Sequence, residues 1–238
     1  MNIPDPNPVS CFVPQSHSSS DLGAAAARDL HAIRTLMERA NVYEAISAPT
    51  ALFAGSLATA AGCALAPVPS SPAFFVGIWG LAFVAVNIFN VVALKRRARR
   101  RGEPFVSGGM KLTLRAVAPP LAAGALVGAA LAALPAPLLS ATAAIWITCY
   151  GLALCATAPF APAALPRLGL AFVLTGVPLI LASPTVPAED ASKVAWLSMA
   201  ATFGIYHLAY ATILSCARHR SPSPLPDQPP SPTQATHV

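Results

Sequence analysis

The chain has 238 residues, 55% of them hydrophobic and only 10% charged, with a net charge of +6 and a mean hydropathy of +0.60. Soluble domains carry about a quarter charged residues, so this deficit excludes an ordinary water-soluble globule and points to an all-α membrane protein. Cys11, Cys63, Cys149, Cys155 and Cys216 lack CxxC spacing and nearby histidines, which argues against a disulfide framework and a zinc site; no metal or cofactor is expected.

Residues 1–20, MNIPDPNPVSCFVPQSHSSS, show neither the basic n-region nor the apolar h-region of a signal peptide. Rich in Pro and Ser, they read as a disordered tail. Residues 21–46 follow as an amphipathic juxtamembrane helix. Asp21 can cap it, and Leu30, Ile33, Leu36, Met37, Ala40 and Tyr43 make an apolar stripe. This helix either lies on the inner membrane surface, or packs under the bundle or simply leads into the first span, and the second reading is preferred.

The membrane domain is expected over 47–216 as a six-transmembrane-helix bundle, with spans near 49–67, 72–94, 112–134, 137–158, 165–182 and 192–215, each near the length needed to cross about 30 Å. Ser47 before Pro49, and Ser70 and Ser71 before Pro72, mark helix starts. Only Pro135, Ala136 and Pro137 separate the third and fourth spans, which predicts a tight hairpin. Residues 217–238 return to a Pro/Ser-rich composition and are expected to be disordered.

Lys and Arg sort by loop. Arg28, Arg34, Arg39, Lys95, Arg96, Arg97, Arg99, Arg100, Arg101, Lys111, Arg115, Arg167, Arg218 and Arg220 fall on one side, and Lys193 alone on the other. The positive-inside rule then sets both termini in the cytoplasm. Arg outnumbers Lys twelve to three and Ala is abundant, which suggests a GC-rich bacterial genome and a cell (inner) membrane location.

Four features invite a functional reading. The run KRRARRR (Lys95, Arg96, Arg97, Arg99, Arg100, Arg101) serves primarily to fix topology and can also bind anionic lipid head groups; without an aromatic or folded platform, no nucleic acid is expected. GALVG places Gly124 and Gly128 four apart, as for close helix packing, preferentially within the chain. The tandem Pro119 and Pro120 form a kink that frees carbonyls one turn earlier. The stretch FGIYHLAYATI carries His207, at a depth shared by Asn87, Tyr150 and Pro119–Pro120. A polar layer of His207, Asn87, Tyr150 and Tyr210 is therefore expected, with Tyr206 pointing elsewhere. Its role is read first as interhelical hydrogen bonding and second as a proton- or substrate-sensitive site. One tryptophan stands toward the outer half of each even-numbered span: Trp79, Trp146 and Trp196.

No GxSxG, HExxH or Walker loop occurs, and no Asp or Glu lies within a span, so no enzymatic role is expected. The segments IRTLMERANVYEAISAPTALFAGS, RRARRRGEPFVSGG with RAVAPPLAAG, and FGIYHLAY resemble a group of uncharacterised six-span bacterial membrane proteins. That resemblance implies an integral inner-membrane protein and assigns no activity to any residue. The expected function is a non-enzymatic sensor, assembly or accessory component, with a protein partner on the cytoplasmic face. The alternative is a small permease built around His207.

Overall fold

The structure is a computed structural model and describes residues 29–30, 48–102, 108–134, 138–159, 161 and 163–220. Expectations for residues 1–20 and 221–238, for most of the 21–46 helix and for the Pro135–Pro137 turn lie outside those residues. The described chain is all-helical: α1 (Ala48–Leu65), α2 (Pro72–Arg101), α3 (Gly108–Ala132), α4 (Leu139–Cys155) and α5 (Ala164–Ala182), then α6 (Ala188–Met199), a π-helical stretch (Ala200–Tyr206) and α7 (His207–Arg220). The last three run on as one rod. Five rods are long and apolar enough to cross a membrane, while α4, at 17 residues, is shorter. The last rod continues to Arg220, five residues beyond the span drawn from the sequence and through 217–220 of the segment expected to be disordered.

Local chemistry explains the ends of α2. Ser71, in an extended conformation, accepts the Phe74 N–H through its hydroxyl at 3.2 Å, and Pro72 occupies the first turn, where a missing donor costs nothing. At the far end Gly102 takes the left-handed conformation (φ 66°) and closes the last turn on the carbonyls of Ala98 and Arg99. Helix α3 stays helical across Pro119 and Pro120, and α5 across Pro178. Threonines inside the rods turn their hydroxyls onto their own backbone: Thr59 onto Gly55, Thr148 onto Ala144, Thr202 onto Ser198. These three hydroxyls are thereby kept from facing hydrocarbon unbonded.

Rods consecutive in the chain alternate in direction, and glycines set several of the crossings. Gly151 and Gly169 face each other between α4 and α5, where a Cβ on either would come within 2.7 Å of the other's carbonyl oxygen. Gly55 of α1 lies against Gly204 and Leu208, and Gly62 against Trp196 and Ala200, so α1 is antiparallel to the last rod. Gly124 and Gly128 of α3 lie against Cys149 and Trp146 of α4, which makes that contact internal to the chain. Thr59 shares the α1 seam with Gly55, whereas Cys63, at the same fourfold spacing, is exposed.

Helix α4 is the most enclosed. Ser140, Ala141, Thr142, Ala143, Ala144, Ile147, Gly151, Ala153 and Leu154 are all buried, with α3, α5 and the last rod around it. The rim is formed by α2 and α3, whose apolar windows are each 11% buried, against 39% for the last rod. The alternation gathers the basic end of α2, the starts of α3 and α5 and the end of α7 at one end of the bundle. Glu189, Asp190 and Lys193, at the start of α6, stand at the other.

Candidate functional site

A polar cluster crossing between rods is built on the π-helical stretch. In an α-helix each carbonyl is met four residues later; a π turn moves that partner to the fifth and widens the helix. Immediately after the wide turn, His207 turns back so that Nδ1 lies 2.9 Å from the Phe203 carbonyl oxygen, and its Nε2 lies 2.8 Å from the Tyr150 hydroxyl of α4. A carbonyl can only accept. Nδ1 therefore carries the ring proton, and Tyr150 donates to the Nε2 lone pair of a neutral imidazole. Both nitrogens are then committed to protein partners.

The ring is enclosed as well as bonded. His207 is 7% exposed and stacks at 11° on Phe203, with Phe172 of α5 meeting it edge-on at 5.6 Å. Tyr150 in turn packs on Phe172 and Phe203, with centroids at 5.0 and 4.8 Å. One position earlier, Tyr206 faces the other way and reaches Thr175 of α5 at 2.8 Å. The Thr175 hydroxyl already donates to Ala171, so Tyr206 is the donor in this second tie. Tyr210 is buried in the core below.

Asn87 is not a member of this group. It is exposed on α2, and its amide nitrogen donates to the carbonyl of Phe83 on its own helix at 2.8 Å. Its depth matches that of His207, but its azimuth points away from the bundle. Asn90, one turn on, faces inward and buries an Oδ1 without a partner. The ring neighbours Phe172, Phe203 and Thr175 were not anticipated from the sequence. Phe203 carried a signal, lying one helical turn before His207 on the same face, but nothing in α5 fixed the rotation that brings Phe172 and Thr175 inward.

A second cluster stands toward the opposite end. Trp79, Trp146 and Trp196 converge on fully buried Phe75, at 6.4, 5.8 and 4.8 Å. Trp79 and Trp196 are buried side chains rather than members of a lipid-facing belt. The Trp196 Nε1–H donates to the Ser70 hydroxyl at 3.1 Å, tying α6 to the loop before α2. Ser70, read from the sequence as part of a helix start, has this role instead, and Ser71 is the cap.

Among the described residues, no three His, Cys, Asp or Glu side chains come together as metal ligands do. Comparison with protein-family models, with curated proteins and with solved structures gives no match for this chain.

Proposed function

We propose that the chain is a six-span integral membrane protein with its basic end and both termini in the cytoplasm, serving as a non-enzymatic sensor, assembly or accessory component. Membership of the uncharacterised bacterial group it resembles, and an inner-membrane location, belong to the same proposal. One observation carries the reading: both ring nitrogens of the buried His207 are engaged inside the protein, one by Tyr150 and one by the Phe203 carbonyl. A centre closed in this way holds rods together and leaves no donor or acceptor of the ring for a solute. The capacity to engage a partner then falls to the segments expected in the cytoplasm from the charge pattern, residues 21–46 and 95–111.

The test is removal of residues 21–46 from the full chain, followed by in-cell crosslinking and identification of the attached proteins. Loss of a specific partner is expected. An unchanged set of partners would overturn the accessory role.

The permease reading is favoured by one feature, the seven-residue π-helical stretch beside His207, because widened turns recur at functional sites. Its path has to run between α4, α5 and the last rod, since Asn87 lies outside. If His207→Ala leaves the flux of every solute tested in proteoliposomes unchanged, that reading ends.

A further inference from the structure

Helix α2 is too long for the bilayer it would cross. Thirty residues make about 45 Å of helix, against about 30 Å of hydrocarbon, so roughly ten residues at its C-terminal end extend into the head-group layer. That overhang is ordered helix, closed by the Gly102 cap, and it carries Lys95, Arg96, Arg97, Arg99 and Arg100. Its cations are therefore held in fixed register with the apolar residues below them.

The register has a direction. Phe89 stacks on Phe53 of α1 at 4.6 Å, which turns the face bearing Val86, Asn90 and Ala93 toward the bundle. The opposite face carries a shallow groove of about 300 Å³ lined by Phe83, Val84, Asn87, Ile88, Val91 and Val92. Stepping along that face by three or four residues, Val84, Ile88 and Val91 lead directly to Lys95 and then Arg99, with Arg96 one turn beyond Val92. An apolar groove thus runs into a row of cations on a single helix face. Hydrocarbon fits the first part and a phosphate the second.

We propose that this face of α2 is a docking site for one anionic phospholipid, its acyl chain along Val84, Ile88 and Val91 and its phosphate at Lys95, Arg96 and Arg99. The proposal rests on the reading that the basic end meets a membrane surface. It goes further in assigning a single bound lipid to a single face, where a diffuse topology signal would need neither the groove nor the register.

The test uses the purified full chain in detergent, offered equal phosphatidylglycerol and phosphatidylcholine, with retained lipid counted by native mass spectrometry. The unaltered protein is expected to keep phosphatidylglycerol preferentially. Lys95→Gln/Arg96→Gln/Arg99→Gln should lower that preference by about tenfold or more, each cation near a charged surface being worth several-fold. Ile88→Trp, which fills the groove, should reduce retention of the lipid with the cations intact. Arg167→Gln, on α5, should change neither. A preference that survives in the triple variant overturns the proposal. So does a triple variant that loses it while Ile88→Trp has no effect and inorganic phosphate competes as well as lipid, since the site would then hold a free anion. Recovery of the chain from cells as soluble protein would instead remove the membrane reading beneath it. Helical circular dichroism and elution volume show that each variant is folded.

Discussion

The hydrogen bond from Tyr150 to His207 offers the sharpest energetic test. Tyr150→Phe deletes one hydroxyl and nothing else, leaving the Nε2 lone pair of a 7% exposed ring with no donor. Orphaning a buried acceptor costs about 1–3 kcal/mol in soluble proteins, while interhelical bonds in membranes average about 0.6 kcal/mol with a ceiling near 1.7. Phe172 and Phe203 stand 5.0 and 4.8 Å from the tyrosine ring and leave water little access to the vacated position. The cost therefore belongs toward the upper membrane value, about 1–1.5 kcal/mol, or roughly a tenfold shift in the folding equilibrium. His207→Leu removes the same bond and also the tie to the Phe203 carbonyl, so it should cost about 2–3 kcal/mol. In the double variant the Tyr150–His207 term is lost only once, giving a coupling of about 1 kcal/mol. The assay is reversible unfolding in mixed micelles titrated with dodecyl sulfate. The fluorescence of Trp79, Trp146 and Trp196 reports the transition, since all three pack around Phe75. A coupling below about 0.3 kcal/mol would show that the two side chains are not bonded in the folded protein and would refute the argument.

Gly169→Ala places a Cβ 2.7 Å from the Gly151 carbonyl oxygen and 2.8 Å from the Leu154 Cβ, so it should cost about 2–3 kcal/mol in the same titration. Gly77→Ala meets nothing within 4 Å and should stay within about 0.5 kcal/mol of the parent. Tyr206→Phe breaks only the tie to Thr175, which lies at a half-buried position, and should cost about 0.5–1 kcal/mol. For topology, a reporter fused after Val238 should be shielded in intact cells, while Lys193→Cys should react with an impermeant maleimide from outside. The opposite labelling pattern would invert the assigned orientation.

Length and charge make the rods legible in the sequence, because hydrocarbon tolerates few charges and demands a minimum length. Azimuth is harder to read. His207, Tyr150 and Asn87 lie at equal depth; the first two meet, while Asn87 faces outward. Depth along a rod comes from counting residues, but rotation about it is decided by neighbours, here by Phe89 stacking on Phe53. The π-helical stretch left no local mark for the same reason. AATFGIY holds a glycine, which weakens a helix without specifying a wide turn, and the wide turn sits where Gly204 packs on Thr59 and where His207 reaches the Phe203 carbonyl. The tryptophans carry a similar lesson: their outer placement suits a lipid-facing belt, yet Phe75 and Ser70 draw them inward.

The widened turn divides one rod into two phases. Trp196 before it and Ala200 at its start meet α1 at Gly62, while His207 after it meets α4. Drawing the same residues into the ordinary helical repeat would swing the preceding half by about 100°, carrying Trp196 away from Ser70. Losing a single residue between Met199 and His207 would instead let the ordinary repeat close with both halves still on their partners, so a one-residue gap at this point in an alignment would trade the wide turn for a narrow one and leave the outer faces where they are.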